Sequence, residues 1–261
     1  MPADDPTTVA LLGSTGKLGG WVLEALLDGG YQVRALVRQS DKLQAYADRP
    51  NLTVLQGSSD NEDTLSELID GCSAIIATLG SPDKDTLVCT PSAKALVSAI
   101  KKRAGSQPAP RIIWSSSEGV NNGKKQAQLY GCADNCLPSC NCFGWGFFGF
   151  MQYFCIIPFV ISHAVWDDMA TAEDALTSDE DIHMRTVIAR PTIFGPISEA
   201  KAFSDEWRSE GGDQVGYMLK APSDKPPGIY INKKSIAKFL VDAVTNEEWD
   251  GKEPVHLFQG A

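Results

Sequence analysis

A glycine-rich turn near the amino terminus limits the choice of fold more than any other feature of this sequence. The apolar segment TVALLG (8–13) leads directly into KLGGWVLEALLDGG (17–30), whose apolar residues recur at helical spacing. Gly13 would permit a tight turn, Gly16 would let the backbone approach a pyrophosphate, and Gly19 would let the helix pack on the strand. A strand, a glycine turn and a helix N-terminus together predict a phosphate-binding site.

The alternation of apolar strands and helices continues along the chain. Near-continuous apolar strands separated by helices indicate a parallel sheet that is covered on both faces. We therefore expect α/β architecture: a Rossmann-like, doubly wound, mostly parallel sheet in a single domain (1–261), with a cofactor half at about 7–120 and substrate-side segments at about 121–184 and 192–235. The predicted strands are 8–13, 31–38, 52–57, 73–80, 111–117, 185–196 and 254–259, and the later helices are about 163–176 and 233–244.

The residue at the end of the second strand indicates whether the protein prefers NAD(H) or NADP(H). An enzyme that uses NAD usually has an acidic residue there, which holds the ribose hydroxyls. This sequence reads LVRQS and places Arg38 at that position. Because a guanidinium matches a 2′-phosphate, Arg38, with Lys17 or Lys42 as a second cation, predicts NADP(H). The alternative is a solvated surface arginine.

Charge and cysteine content argue against several classes of protein. The formal net charge is -10, whereas a nucleic-acid or anionic-membrane surface needs patches of lysine and arginine. The first residues show no basic region followed by an apolar stretch, so we expect a cytoplasmic protein with reduced thiols. We predict no metal site, because the spacing of Cys132, Cys136, Cys140 and Cys142 is not the usual Cys-x-x-Cys pair.

The GxxGxxG spacing resembles that of the short-chain dehydrogenase/reductase superfamily. Within it, the chain is similar to the atypical, NmrA-like branch of NAD(P)-binding proteins, which includes flavin-reductase-type members. The stretches that carry this resemblance are LLGSTGKLGGWVLEALLDGGYQVRALVR, LQGSSDNEDTLSELIDGCSAIIATLG, DDMATAEDAL, VIARPTIFGP and INKKSIAKFLVDAV.

The resemblance implies which residues contact the cofactor. The third strand would end at the adenine, the fourth beneath the cofactor, the fifth at the nicotinamide and the sixth at its carboxamide. Ser58 is a departure, because relatives often have an aspartate there. The implied contacts are Gly13, Ser14, Thr15, Gly16, Lys17, Leu18, Gly19, Arg38, Ser58, Ser59, Thr78, Leu79, Gly80, Ser115, Pro191, Thr192 and Ile193.

The superfamily's Tyr-x-x-x-Lys pair is missing from this sequence. Counted back from the strand that contains Arg190, the corresponding helix reads HAVWDDMATAEDAL, with His163 and Asp167 at about the two positions. Residues four apart share a helix face, so either one could supply a proton or orient a group at the nicotinamide. Trp166 lies beside them, and Ser116 is a further candidate. Two alternatives remain: Asp168 faces inward instead, or the histidine caps the helix and the acids are solvated.

An apolar run from Phe143 to Ile161 contrasts with the acidic remainder of the chain. It is long enough for a transmembrane helix, but its glycines, its proline and its position between two strands of one sheet predict no membrane span. Eight of its residues are aromatic, so we expect it to wall a pocket for a large, flat, apolar substrate. The alternatives are an interface in a homo-oligomer and a shallow membrane contact.

These patterns predict an NADPH-dependent reductase of a bulky apolar or aromatic small molecule, such as a carbonyl, imine or iminium intermediate of secondary metabolism. Some fungal members of the NmrA-like branch reduce such intermediates in alkaloid biosynthesis and steer a cycloaddition of the Diels–Alder type. The resemblance brings in that cyclisation role. The alternative is a non-catalytic NADP(H)-sensing regulator that binds a protein partner, which the missing tyrosine and lysine favour.

Overall fold

The computed structural model describes residues 7–103, 109–117, 120, 163–194, 216–219 and 230–259. The strands are β1 (Thr8–Leu12), β2 (Gln32–Val37), β3 (Leu52–Gln56), β4 (Ala74–Ala77), β5 (Arg111–Ser115), β6 (Thr186–Pro191), β7 (Ile193–Phe194), β8 (Tyr217–Met218), β9 (Tyr230–Ile231) and β10 (Val255–Gln259). The α-helices are α1 (Gly19–Asp28), α2 (Glu62–Leu68), α3 (Cys89–Arg103), α4 (His163–Thr177), α5 (Glu180–His183) and α6 (Lys233–Asp242). Two 3-10 helices span Ser40–Tyr46 and Glu247–Trp249.

The main sheet has eight strands in the order β3-β2-β1-β4-β5-β6-β10-β8. Neighbouring strands are parallel except for β10 and β8, which are antiparallel. The chain first moves outward from β1 to β3 and then continues on the other side of β1 with β4, so the strand order reverses between β1 and β4. This reversal is the switch point of a doubly wound fold. The predicted Rossmann-like, mostly parallel α/β sheet is confirmed.

Alternate side chains of β1 enter two different cores. Val9 and Leu11 belong to the core that includes residues of α1 and α6, whereas Ala10 and Leu12 belong to the core that includes residues of α2, α3 and α4. All four side chains are fully buried. Helices therefore cover both faces of the sheet, which explains why the central strand reads as an uninterrupted apolar run.

Three predicted strands, β4, β5 and β6, end two or more residues earlier than expected. The strand expected over 185–196 stops at Pro191, and β7 instead pairs with β9 in a separate two-stranded sheet. Thr192 separates them, and its N–H donates to the carbonyl of Leu257 in β10 at 3.1 Å. Because β4 ends at Ala77 and β5 at Ser115, the candidate residues beyond these ends lie in loops along the carboxyl edge of the sheet.

Several predictions fall on parts of the chain that lie outside the described residues. These are the apolar run at 143–161, most of the substrate-side segments and the four cysteines between 132 and 142. Of the helices that are described, none is long and apolar enough to cross a membrane. The described residues also contain no group of three or more His, Cys, Asp or Glu that could hold a metal ion. The single-domain division stays a prediction.

Candidate cofactor site at the carboxyl edge of the sheet

The glycine loop between β1 and α1 is packed so closely at Gly13 and Gly19 that a side chain is excluded at these two positions. Gly13 has φ +81°, in the left-handed region that favours glycine. A Cβ on Gly19 would lie 1.9 Å from the carbonyl oxygen of Gly13 and 2.8 Å from Oγ1 of Thr78. The loop closes through the N–H of Gly16, which donates to the Gly13 carbonyl at 2.9 Å. This geometry supports the turn and packing roles of Gly13 and Gly19.

Thr78, the first residue after β4, holds the glycine loop in place. Its N–H donates to the carbonyl of Leu12 at 3.0 Å, and its Oγ1 donates to the same carbonyl at 3.1 Å. The hydroxyl also lies 3.4 Å from the Gly13 carbonyl oxygen. Thr78 was predicted as a cofactor contact, and the structure places it beneath the loop as a support.

The N-terminus of α1 is left open to an anion. Leu18 precedes the helix and makes no side-chain capping hydrogen bond, and the first turn has no acidic residue. By contrast, Asn61 caps α2 and Asn232 caps α6 by accepting backbone N–H bonds. The N–H of Gly20 in the first turn donates to the carbonyl of Gly16 at 3.0 Å. A helix start without a side-chain cap presents a positive dipole end, which is the environment that a phosphate needs.

The N-terminus of α3 is occupied by the protein's own carboxylate. Asp168 of α4 is 4% exposed and accepts hydrogen bonds from the backbone N–H groups of Val88, Cys89 and Thr90 and from the hydroxyl of Ser81. Burial alone would raise the pKa of the Asp168 carboxyl, but the hydrogen bonds from Ser81, Thr90 and Cys89 outweigh it and the pKa is lowered. An anionic ligand is therefore favoured at α1 and excluded from α3.

Three buried hydroxyls follow the carboxyl ends of β1, β5 and β6. Ser14, Ser116 and Thr192 are at most 9% exposed, and their side-chain oxygens have no hydrogen-bond partner among the described residues. A buried hydroxyl without a partner is costly, and in a native structure it often marks the place of a partner that is missing. The polar groups of a dinucleotide along this edge would supply such partners, so the residues present fit the cofactor.

Arg38 follows β2 directly, and its side chain is exposed. Within the described part of the chain no carboxylate pairs with its guanidinium, and Gln56 donates only to its backbone carbonyl, at 3.4 Å. The guanidinium is therefore available to a ligand on the β2 side of the glycine loop. A free cation at this place fits the predicted contact with a 2′-phosphate.

The two serines predicted at the adenine already have protein partners. Ser58 Oγ donates to the Asp60 carboxylate at 2.5 Å, and Ser92 of α3 donates to Ser59 Oγ at 2.7 Å. A carboxylate, Asp60, thus stands two residues beyond the position where relatives often have aspartate. The remaining predicted contacts lie at the same edge of the sheet: Thr15, Lys17, Leu18, Leu79, Gly80, Ser115, Pro191 and Ile193.

The catalytic candidates on α4 are divided between the surface and the interior. Asp167 is exposed, whereas Asp168 is the inward-facing acid and is neither solvated nor free. Trp166 is buried and packs against Val120, which follows the end of β5. His163 is the first residue of α4, but its side chain is outside what the structure describes. The structure thus brings Trp166 near the strand end that carries Ser116, while the catalytic roles stay predictions.

Sequence reasoning missed a buried ion pair behind the site. Arg190 of β6 donates from Nε and from a terminal nitrogen to the two carboxylate oxygens of Glu173 in α4, at 3.1 and 2.5 Å. Both side chains are at most 5% exposed. The signal was an arginine inside the apolar strand VIARP, because a buried arginine requires a partner. The pair attaches α4 to the sheet.

The open helix start, the glycine loop and the unpartnered hydroxyls define a Rossmann-type site for a dinucleotide. Residues 13–131 match the family model described as NAD(P)H-binding. This match confirms the predicted recognition of an NAD(P)-binding protein and its cofactor class.

Known proteins similar to the chain include reductases. A dihydroflavonol 4-reductase from Callistephus chinensis is 30% identical over 143 residues, which cover 50% of this chain and 39% of that reductase. A candidate NADH-flavin reductase from Streptococcus pneumoniae superposes with TM-score 0.63 at 15% identity, covering 97% of this chain and 100% of that chain. A short-chain dehydrogenase/reductase from Veillonella parvula, solved with NADP, gives TM-score 0.63 at 12% identity, covering 98% and 95%. The match therefore spans only about two fifths of the plant reductase.

Proposed function

We propose that this protein is an NADPH-dependent reductase of a bulky apolar or aromatic small molecule. The observation that carries the proposal is the pair of buried, unpartnered hydroxyls of Ser116 and Thr192, beside the strand ends where the reactive half of a dinucleotide would lie. Arg38, on the other side of the glycine loop, supports NADP(H) over NAD(H). The similarity to a dihydroflavonol reductase supports reduction of a bulky ring system.

Different residues of the chain bind different parts of the cofactor. The glycine loop and the start of α1 hold the pyrophosphate, Arg38 holds the 2′-phosphate, and Ser116 and Thr192 orient the nicotinamide half. The bound cofactor supplies a hydride. A proton then comes from His163, from Asp167 or from water, and Trp166 limits access of solvent beside Ser116.

The finer parts of the proposal concern the substrate. A carbonyl, imine or iminium intermediate of secondary metabolism, including one that undergoes an accompanying cyclisation, would suit the aromatic wall that the sequence predicts for the segment 143–161. The same segment is the candidate interface for a homo-oligomer. A cytoplasmic location is part of this proposal.

A non-catalytic NADP(H)-sensing regulator is the second candidate. It is favoured by the polar residues of α4: Asp168 and Glu173 are both committed to structural contacts, and Asp167 faces solvent. In that case the cofactor would control binding of a protein partner. Tight NADPH binding without turnover of any substrate would support this candidate.

The first test compares cofactor binding in the wild type and in Arg38→Ala. A hydrogen bond to a charged group contributes about 1.5–3 kcal/mol, so the variant should lose about 10- to 100-fold in NADPH affinity. NADH binding should be unchanged, which makes it the internal control. Fluorescence titration gives both dissociation constants, and equal affinity of the wild type for NADPH and NADH would refute the assignment.

The second test measures turnover. NADPH oxidation is followed across a panel of quinones, flavins, enones and imines. Oxidation that depends on one class of acceptor supports the reductase. NADPH binding without oxidation across the panel supports the regulator.

A further inference from the structure

The helix α4 is attached to two neighbouring strand ends by contacts made on different sides of the helix. Asp168 reaches the connection between β4 and α3, and Trp166 packs on Val120 beyond β5. Residues two apart on a helix point in roughly opposite directions. The position of α4 is therefore defined relative to both β4 and β5.

The contact at β4 is a closed set of hydrogen bonds, which we call the Asp168 lock. One carboxylate oxygen of Asp168 accepts from Ser81 Oγ at 2.5 Å and from the N–H groups of Cys89 and Val88 at 2.9 and 3.2 Å. The other accepts from the N–H of Thr90 at 2.8 Å. Thr90 Oγ1 donates back to the Asp168 carbonyl at 2.8 Å, and Ser81 Oγ accepts from the N–H of Val88 at 2.8 Å. The lock holds both ends of the connection 81–88.

The lock is continuous with the glycine loop through a short piece of chain. Ser81 follows Thr78 by three residues, and Thr78 holds the carbonyls of Leu12 and Gly13. The thiol of Cys89 lies 3.8 Å from the carbonyl oxygen of Leu79. Because these hydrogen bonds of Thr78 do not involve Asp168, the glycine loop should keep its support when the lock is lost.

The sheet order indicates which half of the cofactor lies over the lock. A dinucleotide crosses the switch point between β1 and β4. Arg38, at the end of β2, would take the 2′-phosphate of the adenosine half, so the nicotinamide half extends over the ends of β4 and β5. The lock thus lies on the nicotinamide side.

We propose that Asp168 is a positioning residue, which holds the β4–α3 connection against α4 and so fixes the floor beneath the nicotinamide half. This inference rests on the proposed function. It predicts different effects on the two halves of the cofactor: loss of the lock should weaken binding of the nicotinamide half and leave binding of the adenosine half unchanged. A carboxylate that served only to stabilise α3 would not discriminate between them.

The test uses two probes, NADPH and 2′,5′-ADP, which lacks the nicotinamide half. Asp168→Asn keeps the size of the side chain but turns an –NH2 donor toward backbone N–H donors. We expect the dissociation constant for NADPH to rise about tenfold, within the range of roughly 2- to 30-fold for residues that influence a site without touching the ligand. The constant for 2′,5′-ADP should stay within about twofold. Asp174→Asn, an exposed acid on the same helix, is the matched control and should change neither constant.

Ser81 provides a second, milder pair of variants if Asp168→Asn fails to fold. Ser81→Ala removes one donor of the lock and should raise the NADPH constant in the same direction by a smaller factor. Ser81→Thr keeps the hydroxyl and should restore it. If the wild type binds both probes and the variants bind both with equally weakened affinity, or with unchanged affinity, the positioning role is overturned. A wild type that binds neither probe would overturn the proposed function and this inference together.

Discussion

The sharpest test of the glycine loop is the substitution Gly19→Ala. The added Cβ would lie 1.9 Å from the Gly13 carbonyl oxygen and 2.7 Å from its carbonyl carbon. An ordinary contact needs about 3.5 Å, so α1 and the loop must separate by about 1.5 Å. Seven residues of α1 are buried, and backbone atoms cannot yield as a flexible side chain can. The cost should therefore be at the upper end for overpacking, about 3 kcal/mol.

A displacement of this size also affects the cofactor. Hydrogen bonds to phosphate require donor–acceptor distances of about 2.7–3.2 Å, so we expect NADPH affinity to fall at least about 100-fold. Urea denaturation measures the change in the free energy of unfolding, and fluorescence titration measures NADPH binding.

The matched control is Gly30→Ala. Gly30 has φ +80°, nearly that of Gly13, but a Cβ there would meet nothing within 4 Å. The control should cost about 1–2 kcal/mol from backbone conformation alone and leave NADPH binding unchanged. If Gly19→Ala bound NADPH like the wild type and was no less stable than Gly30→Ala, the close packing of α1 on the loop would be refuted.

Two further predictions concern buried groups. Glu173→Ala should destabilise the protein by about 3–5 kcal/mol, because it leaves Arg190 buried without its carboxylate. Urea denaturation measures the free energy of unfolding, and a smaller loss than that caused by Asp174→Ala, at an exposed position, would contradict the prediction. Burial raises the pKa of Cys72 to about 11 and that of Cys89 to about 12, so neither thiol should react with iodoacetamide at pH 8 in the folded protein. Mass spectrometry of peptides from folded and urea-unfolded samples measures this, and equal labelling in both samples would be the contrary result.

The sequence predicted the cofactor side of the molecule well because its signals are local. The glycine spacing, the apolar strand before it and the helical pattern after it all lie within residues 8–30. Each restricts the backbone of its own neighbourhood, and together they predict the unit formed by β1, the glycine loop and α1. Arg38 could be placed for the same reason, because it directly follows an apolar strand.

The helix α4 shows what such reasoning left undecided. Its existence was predicted, but an acidic pair cannot reveal which member faces inward, since neighbouring helical residues differ by only about 100°. In the structure Asp168 faces inward, because its carboxylate caps the N-terminus of α3. A signal was present in the sequence: the residue before α3 is Val88, which has no capping side chain, so the cap had to come from elsewhere.

The sequence by itself determined the order of strands and helices, the glycine loop and the cation at the end of β2, because periodicity and glycine act over a few residues. Tertiary structure alone decided the partners of Asp168 and Glu173 and the break at Thr192. Ser81 and Asp168 are 87 residues apart, and the Arg190–Glu173 pair joins a strand to a helix that packs against it. Such contacts depend on how segments that are distant in the chain pack together. Burying a charged or polar group is costly unless it meets a specific partner. This cost favours the one packing arrangement that supplies the partner over others that the local sequence would equally allow.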